Sequence, residues 1–237
     1  EDNKYVMVDT GDSVKTAMYK ISPWLKENGV FTIHHLIITH PHYPHYGGTE
    51  FLIDNFKVEK IYINELIPPN NFEYQMLINK IKHKNIKLYF IDRIKTIKFS
   101  ETEVELVPNF INYFYDEEET FYDNNSLFVK IKYKNSVGLL TNDIPLRYLN
   151  KSIFDNNVLF IQLPRHGKYK EDILELKNWS VKPRFLIVST DRYIPEIKTI
   201  LKMPVYTTVD NGNITIDVRK LKLRKIKRTN QGVYIGI

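Results

Sequence analysis

Apolar residues recur along this chain with two periods that take turns. Short runs at 6–8, 36–39, 58–63, 88–91, 96–99, 104–107, 126–133, 137–141, 158–163, 185–188, 205–208, 214–218 and 233–235 cluster or alternate in the manner of strands. Between them, 14–28 ends at Gly29, a short segment follows Gly48, and Phe72, Met76, Leu77, Ile78 and Ile81 recur at helical spacing through 72–83. Further short helices are expected near 146–150 and over 194–201. Strands and helices interleave on both sides of a midpoint near residue 120, the pattern of an α/β fold with two sheet-bearing halves. No repeat, linker or low-complexity tract separates these halves, so 1–237 is read as one domain. The stretch 109–123 is polar, aromatic and acidic around Asp116-Glu117-Glu118-Glu119, and it predicts a mobile surface loop because successive like charges repel.

One strand end stands out. Directly after Leu36-Ile37-Ile38 comes Thr39-His40-Pro41-His42-Tyr43-Pro44-His45-Tyr46-Gly47-Gly48, which packs three of the chain's seven histidines into one loop. Neutral imidazole is the commonest protein metal ligand, and His40, His42 and His45 can aim at one small volume. Asp143 and His166 each follow another apolar strand, and ligands in open α/β sheets gather beyond strand ends. Taken singly, an aspartate there serves equally as a cap or turn residue. Arg165 beside His166 suits phosphate, which a fixed guanidinium fork binds well, if its side chain points inward.

Composition narrows the chemistry. The absence of cysteine removes thiolate zinc sites, cysteine nucleophiles and any disulfide partner. Lys and Arg outnumber Asp and Glu by 34 to 28, a formal charge of +6 that favours an anionic partner such as nucleic acid or a membrane surface. The basic residues of 80–84 close a helix, where cations suit the dipole. The run 219–228, with Arg219, Lys220, Lys222, Arg224 and Lys225, alternates basic and apolar residues. It reads as an edge strand whose lysines discourage aggregation, or as a ribbon that follows a phosphate backbone. No apolar run reaches the roughly 18 residues of a membrane span. The chain opens at Glu1 and enters a strand at once, so a fragment of a longer protein is expected.

Six stretches, in order, resemble the metallo-β-lactamase superfamily, and within it the soluble domain of ComEC-type DNA-uptake proteins. They are Val8-Asp9-Thr10-Gly11, Thr39 to Gly48, Asn124-Asn125-Ser126-Leu127, Leu140-Thr141-Asn142-Asp143, Leu163-Pro164-Arg165-His166-Gly167, and Val205-Tyr206-Thr207-Thr208 with Asn211-Gly212. The resemblance implies an αββα sandwich, two mixed sheets flanked by helices. It implies that His40 and His42 hold a first metal, that Asp143 bridges, and that His45 with a later histidine such as His166 holds a second. Asp143 and His45 then serve the chemistry, a water activated by zinc or manganese attacking a phosphodiester.

Several positions depart from that pattern. Pro44 stands where the family has its motif aspartate, Arg165 replaces one of a histidine pair, and Ile194 precedes Pro195 where His-Pro is frequent. No histidine lies between His83 and His166 to complete the first metal position. One ion is therefore expected rather than two, with hydrolysis weakened or lost, as in a pseudoenzyme. The implied setting is the outer face of a bacterial membrane, with DNA and the membrane channel of the same protein as partners. The rival readings are a non-catalytic DNA-binding module and a purely structural domain.

Overall fold

The computed structural model describes residues 3–110, 118–149, 157–190, 197, 200–217, 222–225 and 233–236. They form two compact units, and the division is not a single cut. The first holds 1–94 and takes back 112–127; the second holds 95–111 and 128–237.

In the first unit, β1 (Val6–Val8), β3 (His35–Ile38), β5 (Lys60–Asn64) and β6 (Lys87–Ile91) form a parallel sheet in the order β1-β3-β5-β6. A short parallel pair, β2 (Thr32–Ile33) and β4 (Lys57–Val58), stands beside it. Central parallel strands are covered on both faces, which is why β3 and most of β5 read as continuous apolar runs. Their Leu36, Ile38, Ile61 and Ile63 share a core with Leu52, Ile53, Leu77 and Ile81 from helices. Those helices are α4 (Thr49–Asn55) and α5 (Phe72–His83), the latter with the bounds its spacing predicted. Asn71 caps α5 by accepting from the Tyr74 N–H. The predicted helix over 14–28 is a run of α1 (Val14–Thr16), a π-helical turn Ala17–Ile21, and α2 (Ser22–Glu27).

The second unit is built on a seven-stranded sheet of β7 (Lys95–Lys98), β8 (Thr102–Val107), β9 (Phe128–Tyr133), β10 (Ser136–Leu140), β11 (Val158–Gln162), β12 (Phe185–Val188) and β13 (Val205–Thr207). Spatial order follows chain order, antiparallel from β7 to β10 and parallel from β10 to β13. Gly138 is required where β10 meets β11, because a Cβ there would lie 2.3 Å from the Phe160 ring. β14 (Ile214–Asp217), β15 (Lys222–Lys225) and β16 (Val233–Gly236) make a third sheet with β15 at an edge, which fits the edge-strand reading of the basic run.

The loop expected over 109–123 is corrected in part. Residues 111–117 lie outside the described residues, but Glu118–Asn124 is a helix, α6, assigned to the first unit. The helix expected over 194–201 falls mostly outside the described residues, as do Ile194, Arg219 and Lys220. Among the described residues, no helix is long and apolar enough to cross a membrane.

Candidate metal centre

The histidine loop begins where β3 ends, at the carboxyl edge of the parallel sheet. Thr39 and His40 are fully buried, and the backbone there is fixed by the Leu127 N–H donating to the Thr39 carbonyl at 2.8 Å. His42 is the extended residue before a single helical turn, α3 (Tyr43–Tyr46). Pro44 sits inside that first turn, where its missing N–H would have no helical partner anyway. The Asn71 side chain donates to the Pro41 carbonyl at 3.1 Å. Thr10 holds the far end: its N–H and hydroxyl both donate to the His45 carbonyl, and its hydroxyl accepts from the Gly48 N–H at 3.2 Å. Gly48 must be glycine for this approach, since a Cβ would lie 2.3 Å from the Thr10 carbonyl oxygen.

Asp9 organises the imidazoles. Its backbone takes a left-handed φ of 58°, which aspartate tolerates better than most residues. One carboxylate oxygen, Oδ1, accepts from the Thr39 N–H at 2.9 Å. The other, Oδ2, accepts from the Thr39 hydroxyl at 3.0 Å and meets His45 Nδ1 at 2.7 Å. A carboxylate only accepts, so His45 carries its hydrogen on Nδ1 and presents the lone pair of Nε2. The Thr39 hydroxyl spends its hydrogen on Asp9, so at its 3.0 Å contact with His40 Nδ1 it accepts. His40 is thereby turned with Nε2 as the nitrogen it offers. Partners of this kind set the tautomer and orientation of metal-ligating histidines.

A second carboxylate completes the cluster. Asp123, near the end of α6, places Oδ1 2.8 Å from His42 Nδ1 and 3.4 Å from His40 Nε2. One ligand atom from each of His40, His42 and Asp123 lies within 4.8 Å of the others. Donors around a common ion at ~2.0–2.2 Å sit ~3–4 Å apart, close to the 2.8 and 3.4 Å separations from Asp123, so this set can hold zinc or a similar ion. The site fits a cation on its own chemistry. A neutral His40 presents a lone pair to a carboxylate oxygen, acceptor against acceptor, and a cation between them turns that contact favourable.

The same first unit therefore brings His40, His42 and His45 together as expected. Asp143, His166 and Arg165 belong to the second unit. Asp143 follows β10 in a turn after Asn142, whose φ of 53° a glycine would adopt without strain. Arg165 and His166 lie in a 3-10 turn, both at left-handed φ, and the Arg165 N–H donates to the Asn142 carbonyl, so the ends of β10 and β11 are tied. His166 Nδ1 donates to the Ser189 carbonyl at 2.7 Å. The Arg165 guanidinium pairs with buried Asp172 at 2.8 Å and stacks on Tyr169, with 3.8 Å from Cζ to the ring centre, so its charge is matched inside the unit. Lys222, Arg224 and Lys225 lie in β15.

The metallo-beta-lactamase superfamily model matches residues 1–114, just under half of the chain and including the whole histidine loop. A candidate metal-dependent hydrolase from Parabacteroides distasonis superposes with a TM-score of 0.55 at 18% identity, over 87% of this chain and 85% of its own. YhfI of Bacillus subtilis, a metallo-beta-lactamase fold protein, superposes with a TM-score of 0.57 at 12% identity over the same shares, 87% and 85%. The chain has the metallo-β-lactamase fold. No curated protein matches it.

Within this metallo-β-lactamase fold two acids of the cluster, Asp9 and Asp123, carry little local signal in the sequence. Asp9 stands in the Val8-Asp9-Thr10-Gly11 stretch, where it reads as a turn residue. Asp123 directly precedes the Asn124-Asn125-Ser126-Leu127 stretch, and its place at the end of an acidic segment makes it look like one more surface acid.

Proposed function

We propose that this metallo-β-lactamase-fold chain is a metal-dependent hydrolase of phosphodiesters, with DNA as its polyanionic substrate. The observation that carries the reading is the convergence of His40, His42 and Asp123 in one cluster, with His45 and His40 held in a ligand-ready tautomer by Asp9 and Thr39. Bound there, zinc or manganese supplies Lewis acidity and an activated water. The residues of this chain contribute the rest. Asp9 fixes the imidazoles, Thr10 and Gly48 hold the loop, and burial of His40 holds its ring in place. The excess of basic over acidic side chains favours a phosphate-rich substrate.

On motif order, Asp143 and His166 are proposed as further ligands, and the resemblance to ComEC-type domains extends the proposal to DNA handling at the outer face of a bacterial membrane. The test is metal analysis of the purified protein followed by hydrolysis of bis-p-nitrophenyl phosphate and of single- and double-stranded DNA, with zinc or manganese and with chelator. Cleavage that chelator abolishes and that His42→Ala lowers at least a hundredfold is the expected result. Protein that takes up metal yet cleaves neither substrate overturns the hydrolase reading. Salt-sensitive DNA binding in that protein would then identify a non-catalytic module.

A further inference from the structure

We infer that Asp123 is a metal ligand, and that it makes the first metal position of this chain a two-histidine, one-carboxylate site in place of an all-histidine one. The inference deepens the hydrolase reading, since it concerns the same cluster, but it does not depend on what the ion does.

Contacts of the surrounding chain place the carboxylate. Asn64, at the end of β5, donates from its side chain to the Asn125 carbonyl at 2.6 Å. The Ser126 hydroxyl donates to the carbonyl of Asp123 itself at 2.9 Å, and the Leu127 N–H donates to Thr39. The Asn64 and Leu127 bonds pin the chain on the C-terminal side of Asp123 to the ends of β5 and β3, and the Ser126 bond closes the turn between, so the residue is held against the histidine loop by backbone, not by its own charge alone. The Tyr122 ring, mostly buried, also meets the His42 ring edge to face at 6.2 Å.

The side chain then does something that a surface acid would not. A single oxygen, Oδ1, addresses both His42 Nδ1 and His40 Nε2, while the Asp123 side chain is 22% exposed and that of His40 is 0% exposed. Two imidazole nitrogens and one carboxylate oxygen converging on a partly closed point form three of the four or more positions an ion needs, and leave the others open for water or substrate. The donor set also changes the metal. Exchanging an imidazole for a carboxylate hardens the site and raises its negative charge, which favours Mn(II) or Fe(II) more than a three-histidine site does.

The experiment measures metal uptake by the full chain, with no activity readout. Wild type, Asp123→Asn and Asp123→His are titrated with Mn(II) and with Zn(II) by calorimetry and by elemental analysis after desalting, and Mn(II) is followed by electron paramagnetic resonance. The expected result is that Asp123→Asn weakens binding of both ions by 10- to 100-fold. Asp123→His should recover zinc more than manganese and thus raise the ratio of zinc to manganese affinity above that of wild type, an outcome a merely structural role for Asp123 would not produce. Circular dichroism checks that each variant folds, and Asp123→His carries the test if Asp123→Asn does not. The inference is overturned if Asp123→Asn binds both ions with wild-type stoichiometry and affinity, a result that leaves the hydrolase reading standing. Conversely, metal uptake that depends on Asp123 in a protein that cleaves no phosphodiester sinks that reading and leaves the ligand assignment intact.

Discussion

Replacing Asp9 by Asn tests the organisation of the site more sharply than deleting any ligand. Asparagine adopts the left-handed φ of 58° without extra strain and keeps the side-chain shape, so the backbone and the bond from the Thr39 N–H survive with Oδ1 in place. The amide NH2 then falls where Oδ2 was, facing the Thr39 hydroxyl and His45 Nδ1. A donor now meets His45 Nδ1–H. The cheapest relief is for His45 to move its hydrogen to Nε2, the nitrogen it would offer to an ion. The Thr39 hydroxyl, no longer able to give its hydrogen to Asp9, competes with the His40 Nδ1 hydrogen as well. One oxygen-to-nitrogen exchange therefore disturbs two tautomers. Loss of such outer partners weakens metal affinity ~10- to 100-fold, about 1.4–2.7 kcal/mol. Stability falls by less, about 1–2 kcal/mol, because only one charge-assisted bond lacks a substitute. Competition titration against a chromophoric chelator gives the first quantity and urea denaturation of the metal-free protein the second. Zinc and manganese affinities of Asp9→Asn within twofold of wild type would refute the claim that Asp9 sets the ligand tautomers.

Other perturbations follow from single contacts. Gly48→Ala should lower stability by about 1–3 kcal/mol, read as a shifted urea midpoint, because the new methyl meets the Thr10 backbone oxygen and not a flexible side-chain end. Tyr74→Phe should leave stability unchanged or raise it by up to about 1 kcal/mol, since this buried hydroxyl has no hydrogen-bond partner among the described residues. His35 is held down to about 4 from its ordinary 6.5, first by burial and then by the Lys60 ammonium. The unfolded chain therefore binds this proton before the folded one does. Its stabilising contribution is complete above pH 6.5 and is lost as pH falls towards 4, so His35→Gln should flatten the decline in urea midpoint across that window. Asp12, Asp54 and Glu59, lowered by hydrogen bonds from Thr16, Lys80 and Lys57, lose their contributions as pH falls through their ordinary values of 3.8 to 4.5, so they overlap only the acid end of that window.

Periodicity carries far in this chain because the elements it marks are buried on known faces. Helix α5 and strand β12 appear with the bounds that spacing implies, and β3 and β5 are legible from the apolar runs Leu36–Ile38 and Ile61–Ile63. The histidine loop is equally plain, since its ligands are close in sequence and a strand aims them. Other features are not local. Residues 118–124 form a helix despite their acidic run, where charge repulsion suggested a loop. Four like charges argue against a shared core, but they do not forbid a helix whose apolar Tyr122 turns inward and whose Asp123 turns to two histidines.

Composition and order thus determined the α/β class, the metal-directed loop and the absence of any thiol chemistry, because each depends on residue type and near-neighbour spacing. Tertiary structure alone brought a carboxylate to His40 and His42. His40 and Asp123 are far apart in sequence, and no periodicity links them. They meet because the Asn64 side chain and the Leu127 N–H tie the returning chain to the ends of β5 and β3. The same holds for Asp9, an ordinary turn residue by its neighbours, which becomes the organiser of the imidazoles only when parallel pairing of β1 with β3 sets it beside Thr39.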